Sequence, residues 1–283
     1  MNHTLAQPVA DAPPRPKRRA RIDRADRIPP ISRRLWRLFT AYGRWYIRRR
    51  FHAVRLLKGS DPTLPTDDRP IIIYLNHPSW WDPMIGLLLT RQLMPQRRHY
   101  APIDAAALQR YRFFERLGFF GVEQHTRAGA DAFLRTGAAV LDQPRATLWV
   151  TAQGQFTDVR QRPIHLRPGV AHLARRLDRG LVVPVALEYT LWTEPLAEAL
   201  VHIGPPIDIA HHAQRDTAAW QALLTDRLTD AMDTLADAAQ QRDAARFDTL
   251  LSGGAGVSLV YDAWRALKAT LTGRRFTPEH GGR

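Results

Sequence analysis

Short runs of β-branched and other apolar residues recur along this chain, and stretches with the spacing of an amphipathic helix separate them. The apolar runs predict buried strands at residues 70–75, 147–150, 181–189 and 201–203. The helical spacing predicts helices at residues 83–93, 104–117, 129–142, 169–177 and 216–247. Strands that alternate with helices are typical of an α/β domain, here with a buried mixed sheet flanked by helices. We place this single domain at residues 60–250.

The basic residues are concentrated near one end of the chain. The 283 residues carry a formal net charge of +14, and residues 1–60 hold sixteen Lys and Arg against three Asp. Residues 1–31 are rich in Pro, Ala and Arg, which predicts a disordered basic arm. Residues 251–283 are predicted to be a flexible glycine joint followed by a short amphipathic helix at 257–271.

Between these ends, residues 32–58 are predicted to form a basic amphipathic helix that begins after Ser32. A basic helix with Trp, Phe and Leu on one face is typical of a membrane-interface anchor. The same apolar stripe would also suit packing on the protein's own core, so both interpretations stay open. An anionic membrane surface is the expected partner, and nucleic acid is not expected.

Composition excludes several kinds of site. The chain has no Cys, so it has no disulfide, thiolate metal site or thiol nucleophile. It shows no signal-peptide pattern and no apolar run near the roughly 18 residues that span a bilayer, which predicts a peripheral protein on the cytoplasmic face of the membrane. The serine-hydrolase elbow and the phosphate-binding glycine loop are both missing. His211 and His212 lack acidic neighbours, so we expect no metal site and no bound cofactor.

One segment combines a buried strand with groups that can do chemistry. The run of residues 71–75 leads directly into Asn76 and His77, and Asp82 follows just before Pro83. Proline favours the first turn of a helix, so Asp82 is predicted at the helix N-cap. A carboxylate bonded to one imidazole nitrogen would leave the other nitrogen free to accept a proton from an alcohol. The segment is therefore either a catalytic pair or a capping Asp beside an ordinary turn His.

With Asn76, His77 and Asp82, this segment resembles the N-H-x-x-x-x-D motif of the glycerolipid acyltransferases, which include bacterial lysophosphatidic acid acyltransferase. Residues 151–156 with 167–174 are similar to the family's third motif and the helix that follows it, and residues 182–186 are similar to the fourth. The likeness covers residues 70–190. It implies that His77 is the general base and Asp82 its orienting partner. It also implies an acceptor-binding set of Asn76, Gln153, Gly154 and Arg167. We add Arg127 to this set, because Gln124 stands where the family's second motif has Arg and Arg127 follows three residues later.

The resemblance implies transfer of a fatty acyl group from acyl-CoA or acyl carrier protein, as co-substrate, to a lipid hydroxyl. The default acceptor is 1-acylglycerol-3-phosphate or a related lysophospholipid, in phospholipid biosynthesis. Two departures matter, because Gln153 stands where the family has Glu, and Phe156 where it has Arg. Phosphate prefers fixed arginines, so a glycosylated or otherwise non-phosphorylated lipid alcohol is the alternative acceptor. A further alternative is a non-catalytic basic membrane-binding protein that kept this fold.

Overall fold

A computed structural model describes residues 28–60 and 67–254. The predicted arm therefore lies outside the described residues except for its last positions, and the predicted helix at 257–271 lies wholly outside them. The strands run β1 Phe51–Leu57, β2 Ile71–Leu75, β3 Arg98–Asp104, β4 Phe119–Val122, β5 Ala146–Thr151, β6 Leu181–Thr190, β7 Ala197–Ile203, β8 Ile207–Asp208 and β9 Phe247–Ser252. The α-helices run α1 Arg33–Arg50, α2 Asp82–Leu93, α3 Ala105–Arg110, α4 Arg127–Leu141, α5 Gly169–Arg176 and α6 Thr217–Gln240. The fold is α/β, as predicted.

The strands form one mixed sheet in the order β4-β3-β5-β2-β6-β7-β1-β9, with the short β8 beside β6. The strands β4, β3, β5, β2 and β6 are mutually parallel. The strand β7 is antiparallel to β6 and parallel to β1, and β9 is antiparallel to β1. The carboxyl ends of the five parallel strands therefore share one edge of the sheet.

Helices cover both faces of the sheet. On one face α4, α5 and α6 bury side chains such as Phe133, Leu173 and Trp220, and on the other face α1 and α2 bury Ile47 and Ile85. Every residue of β2 is buried, which explains why its sequence is continuously apolar rather than alternating.

The basic helix is shorter than predicted. Ser32 caps its start, but α1 ends at Arg50, and Phe51–Leu57 form β1 instead of further helical turns. Strand β1 lies between β7 and β9, so its backbone is paired on both sides and Val54 is fully buried. Burial between two partner strands outweighs the helical spacing of the apolar residues.

The helix predicted at 216–247 also ends early. It stops at Gln240, and Phe247–Ser252 form β9 against β1. The described glycines beyond β9 are held in place, because Gly253 N–H donates to His52 O at 2.7 Å and Gly254 N–H to Arg48 O at 3.1 Å. A Cβ on Gly253 would lie 1.8 Å from Phe51 O. This glycine therefore permits close packing on the end of α1, in contrast to the flexible joint predicted from residue 251.

The helix predicted at 104–117 is divided. Asp104 caps α3 by accepting hydrogen bonds from Ala106 N and Ala107 N, and a 3-10 segment, Arg112–Arg116, follows. Beyond this segment Gly118 has a φ of +94°. A Cβ there would lie 2.3 Å from His99 O, so glycine allows the chain to pass close to β3 and enter β4.

Candidate active site

Three segments meet at the carboxyl edge of the parallel strands. The His77 loop leaves β2, the loop that contains Gln153 leaves β5, and Tyr189 lies near the end of β6. Strand β2 lies between β5 and β6, and its last residue, Leu75, is paired with Thr151 on one side and Val185 on the other. This edge of a parallel sheet is where α/β proteins bind ligands.

His77 and Asp82 form a hydrogen-bonded pair, as predicted. The His77 Nδ1 lies 2.6 Å from Asp82 Oδ2. The imidazole side chain is 18% exposed, whereas that of Asp82 is fully buried. An ionised carboxylate only accepts hydrogen bonds, so this contact places the ring hydrogen on Nδ1. The Nε2 lone pair then has no partner in residues 28–60 and 67–254.

Asp82 is not the N-cap that the sequence predicted. It is the first residue of α2, Trp81 occupies the cap position, and no side chain caps the helix. The Asp82 carboxylate instead turns back over the loop, where its Oδ2 also accepts from Ser79 N at 3.3 Å. Its position in the first helical turn still places a negative charge at the positive end of the helix dipole.

Tyr189 completes the surroundings of Asp82 and was not predicted from the sequence. Its hydroxyl donates to Asp82 Oδ1 at 2.7 Å. Burial raises the pKa of Tyr189 well above its usual value, and the nearby Asp82 charge raises it further. The phenol therefore keeps its proton and remains a donor, so that both oxygens of Asp82 are held. The available signal was only that Tyr189 lies at the end of a predicted strand, without any indication of the residue it faces.

Two predicted acceptor-binding residues position the loop of His77. Asn76 is buried and is bonded at both ends of its amide to β6, donating to Leu187 O at 2.9 Å and accepting from Leu187 N at 2.8 Å. Gln153 is 6% exposed, and its Oε1 accepts from the backbone N–H of His77 at 2.8 Å. These contacts hold the backbone at His77 and at the residue before it.

Gly154 and Arg167 are in direct contact. Gly154 has a φ of +67°, and a Cβ on it would lie 2.3 Å from Arg167 Nε. The arginine side chain thus crosses over the glycine, and its guanidinium donates to His125 Nδ1 at 3.1 Å. Arg127 is exposed at the start of α4, and within the described chain it makes no hydrogen bond or ion pair with the other predicted site residues.

Exposed aromatic rings flank the pair. The Phe156 ring centroid lies 4.4 Å from that of His77, and Phe156 is 60% exposed. Trp80 is 63% exposed and meets Trp81, the residue before Asp82, edge to face at 5.5 Å. The open side of the imidazole is therefore bordered by apolar surface.

Helix α1 has two apolar faces. Thr40, Gly43 and Ile47 are buried against the core. Leu38, Tyr42 and Trp45 are half or more exposed, and we name them the outward ridge. No helix in the described residues combines the length and the hydropathy needed to cross a membrane.

Ring contacts connect the outward ridge to the His77–Asp82 pair. Tyr42 stacks on Tyr46 at 5.7 Å, and Tyr46 meets Trp81 at 5.3 Å. Trp81 directly precedes Asp82 in the chain. A continuous series of ring contacts thus joins the outward ridge to the residue before Asp82.

The histidines at 211 and 212 lie far along the chain from this site, in the 3-10 segment Ile209–His212. The Nδ1 of His212 accepts from Arg215 Nε at 3.1 Å, so this nitrogen is engaged. Within the described ranges, no group of three or more His, Asp or Glu is arranged to hold a metal ion.

Comparison with models of protein families and with curated proteins found no match to this chain. The family resemblance of the motifs therefore stays a prediction. The assignment of a reaction rests on the side chains and distances of the site.

Proposed function

We propose that this chain is a peripheral membrane acyltransferase that moves a fatty acyl group from a thioester to a lipid hydroxyl. The observation that supports it is the 2.6 Å bond from Asp82 to His77 Nδ1 beside an open Nε2, at the ligand-binding edge of an α/β sheet. This arrangement suits a general base, because the carboxylate fixes the tautomer that can accept a proton.

In the proposed reaction His77 Nε2 takes the proton of the acceptor hydroxyl as its oxygen attacks the thioester carbonyl. The carbon–sulfur bond then breaks, an ester forms, and the imidazolium returns the proton to the departing thiolate. Acyl-CoA or acyl carrier protein serves as the donor, as the motif resemblance implies. Asp82 stays ionised throughout and stabilises the imidazolium.

The membrane part of the proposal is supported by the outward ridge and its arginines. Leu38, Tyr42 and Trp45 form an exposed apolar strip, and α1 carries seven arginines without an acidic residue. Aromatic residues on a basic helix suit the boundary between lipid head groups and acyl chains. Docking on the cytoplasmic face of the cell membrane would place lipid against the helix whose aromatic rings lead through Tyr46 to Trp81, the residue before Asp82.

Two classes of acceptor fit different features of the site. A phosphorylated acceptor such as 1-acylglycerol-3-phosphate is favoured by the motif resemblance and by Arg167, which crosses Gly154 next to Gln153. A lipid alcohol with an uncharged head is favoured by Phe156, which presents an exposed ring beside His77 where the family has Arg. Gln153 does not decide between them, because its amide oxygen is used by the backbone of His77.

The test is an acyl-transfer assay with the purified protein in lipid vesicles. Acyl-CoA and acyl carrier protein thioesters are offered with lysophosphatidic acid, or with a monoacyl lipid that bears an uncharged head. Free thiol and acylated lipid should appear together, and the preferred acceptor is read directly from the product. A folded protein that releases no thiol with any donor and acceptor would support the non-catalytic membrane-binding alternative.

Two arginine variants separate the acceptor classes. Arg167→Gln should raise the KM for a phosphorylated acceptor about tenfold, since a charge-assisted contact contributes about 1.5–3 kcal/mol and 1.4 kcal/mol is tenfold. Arg127→Gln is the matched control and should leave the KM unchanged, because Arg127 makes no hydrogen bond or ion pair with the site residues in the described part of the chain. An Arg167→Gln protein with normal KM for lysophosphatidic acid would remove Arg167 from the acceptor site.

A further inference from the structure

A shallow basic depression lies between α1 and the end of α2. Its volume is about 500 Å³, and it is lined by Ala41, Arg44, Trp45, Arg48, Arg49 and Arg91. Five of these residues come from α1 and one from α2. We name this feature the arginine depression.

The arginine depression has no internal countercharge. Residues 28–60 contain no Asp or Glu. In the part of the chain that the structure describes, none of its four arginines forms an ion pair. Four cations gathered without an acid produce a positive potential that attracts an anion.

Two of the guanidinium groups are already oriented. Arg48 Nε donates to Ser252 O at 2.9 Å, and its terminal amino groups have no hydrogen-bond partner among residues 28–60 and 67–254. The Arg49 guanidinium lies over the Trp45 ring, 4.4 Å from its centroid. A ligand would therefore meet side chains that have already lost part of their conformational freedom, which favours binding.

The arginine depression is separate from the candidate active site. Arg91 follows Asp82 by nine residues of α2, which is about 14 Å along the helix axis at 1.5 Å per residue. Within the described residues, the hydrogen bonds of Asp82 to His77 and Tyr189 involve none of the residues that line the depression. Binding there does not depend on the proposed acyl transfer.

We propose that the arginine depression binds a phosphate group carried by an organic ester. Planar guanidinium groups donate pairs of hydrogen bonds that match phosphate oxygens, and several together suit an anion that offers oxygens in several directions. The Trp45 ring supplies an apolar wall for the organic part of the ligand. The phosphate comes either from a phospholipid head group at a bilayer surface or from a soluble phosphate ester.

A pair of double variants with equal charge tests this site. Arg44→Gln with Arg91→Gln removes two arginines of the depression, and Arg34→Gln with Arg37→Gln removes two exposed arginines of α1 outside it. Arg48 is left intact, because its side chain also donates to Ser252 O, at the last residue of β9. Thermal unfolding verifies that both proteins are folded.

Two probes identify the source of the phosphate. Binding of the soluble ester is measured by calorimetric titration with glycerol 3-phosphate, and inorganic phosphate is titrated for comparison. Binding of the lipid head group is measured by co-sedimentation with phosphatidylcholine vesicles that either contain or lack phosphatidylglycerol. Relative to the control pair, the Arg44/Arg91 variant should bind about tenfold more weakly, the equivalent of 1.4 kcal/mol. A selective loss for glycerol 3-phosphate assigns a soluble ester, and a selective loss for the anionic vesicles assigns a lipid head group.

Equal weakening by both double variants would show that only diffuse charge matters and would overturn the site. The same conclusion follows if the Arg44/Arg91 variant binds both probes as tightly as the unchanged protein. Neither outcome bears on acyl transfer, because the measurements involve binding alone.

Discussion

His77 and His99 lie at opposite ends of two parallel strands, β2 and β3, which β5 separates in the sheet, and the hydrogen bonds of their ring nitrogens differ. His77 follows the carboxyl end of β2, with Nδ1 bonded to Asp82 and Nε2 open. His99 lies at the amino end of β3, where its Nε2 donates to Met94 O at 3.0 Å and its Nδ1 accepts from Trp149 Nε1 at 3.2 Å. A histidine whose two ring nitrogens are both hydrogen-bonded has a structural role. A histidine with one nitrogen bonded to a carboxylate and the other nitrogen without a partner can act as a base.

The pKa of His99 agrees with this difference. The pKa is lowered to about 4, mainly by burial and in part by the charge of Arg97, while the bond to Met94 acts in the opposite direction. Protonation would place a hydrogen on Nδ1 against the N–H of Trp149. His99 therefore stays neutral near neutral pH.

The largest expected effect is on catalysis. His77→Gln should lower turnover by about two to four orders of magnitude, the usual contribution of a positioned general base. Glutamine can still donate to Asp82, so the unfolding temperature should change little. Initial rates of acyl transfer and thermal unfolding check both points.

His99→Gln is the control for this prediction, and the reverse pattern of effects on stability and turnover is expected. It should reduce stability and leave the turnover of the folded fraction near normal. The comparison of the two histidines fails if His77→Gln retains normal turnover, or if His99→Gln abolishes turnover in protein that remains folded.

The second-largest expected effect is on the pH dependence of the free energy of unfolding. The folded pKa of His99 is about 4 against an ordinary value of 6.5, so between these values the unfolded chain binds a proton that the folded chain does not. The neutral His99 therefore contributes to the free energy of unfolding, and this contribution is complete above pH 6.5. It decreases by about 3 kcal/mol in total as the pH falls from 6.5 towards 4. Urea unfolding at several pH values across this window measures the slope of the free energy of unfolding against pH.

The slope should be shallower in His99→Gln, which has no titrating group at this position. Other groups contribute equally to both proteins, so the difference between the two slopes isolates His99. Identical slopes would show that another group causes the pH dependence.

The smallest effect concerns Tyr189. Tyr189→Phe removes the donor to Asp82 Oδ1 and keeps the ring, and kcat should fall about tenfold, since hydrogen bonds to charged groups contribute about 1.5–3 kcal/mol. The KM for both substrates should stay constant, because Tyr189 positions Asp82 and does not touch the acceptor. Steady-state kinetics separate the two parameters.

Tyr74→Phe is the matched control. It removes the hydroxyl that donates to Leu224 O at 3.1 Å, away from Asp82. It should lower the unfolding temperature without a change in kcat. If both phenylalanine variants lower kcat equally, general loosening of the core explains the effect and Tyr189 has no special role.

The sequence alone was sufficient for the α/β class and for the His77–Asp82 pair. The strands β2, β5 and β6 are buried on both faces, so their sequences are continuous apolar runs that are visible without a structure. The pair could be predicted because its members are five residues apart in a loop, and so local geometry is enough to join them.

The strands β1 and β9 could not be predicted, because each depends on a distant partner. The apolar residues of Phe51–Leu57 fit the helical spacing of α1 as well as a strand. The extended form becomes the more stable one only when this segment pairs with β7 and β9. Strand β9 lies nearly two hundred residues farther along the chain.

Tertiary structure alone decided what surrounds the pair. Tyr189 faces Asp82 because β6 is paired with β2 in a particular register, Val185 beside Leu75, and a shift of one residue would turn the phenol to the other face of the sheet. The same is true of Gln153, whose amide reaches His77 only because β5 is the other neighbour of β2. Residue types and short spacings are properties of the sequence, whereas register and strand order arise from packing the whole chain.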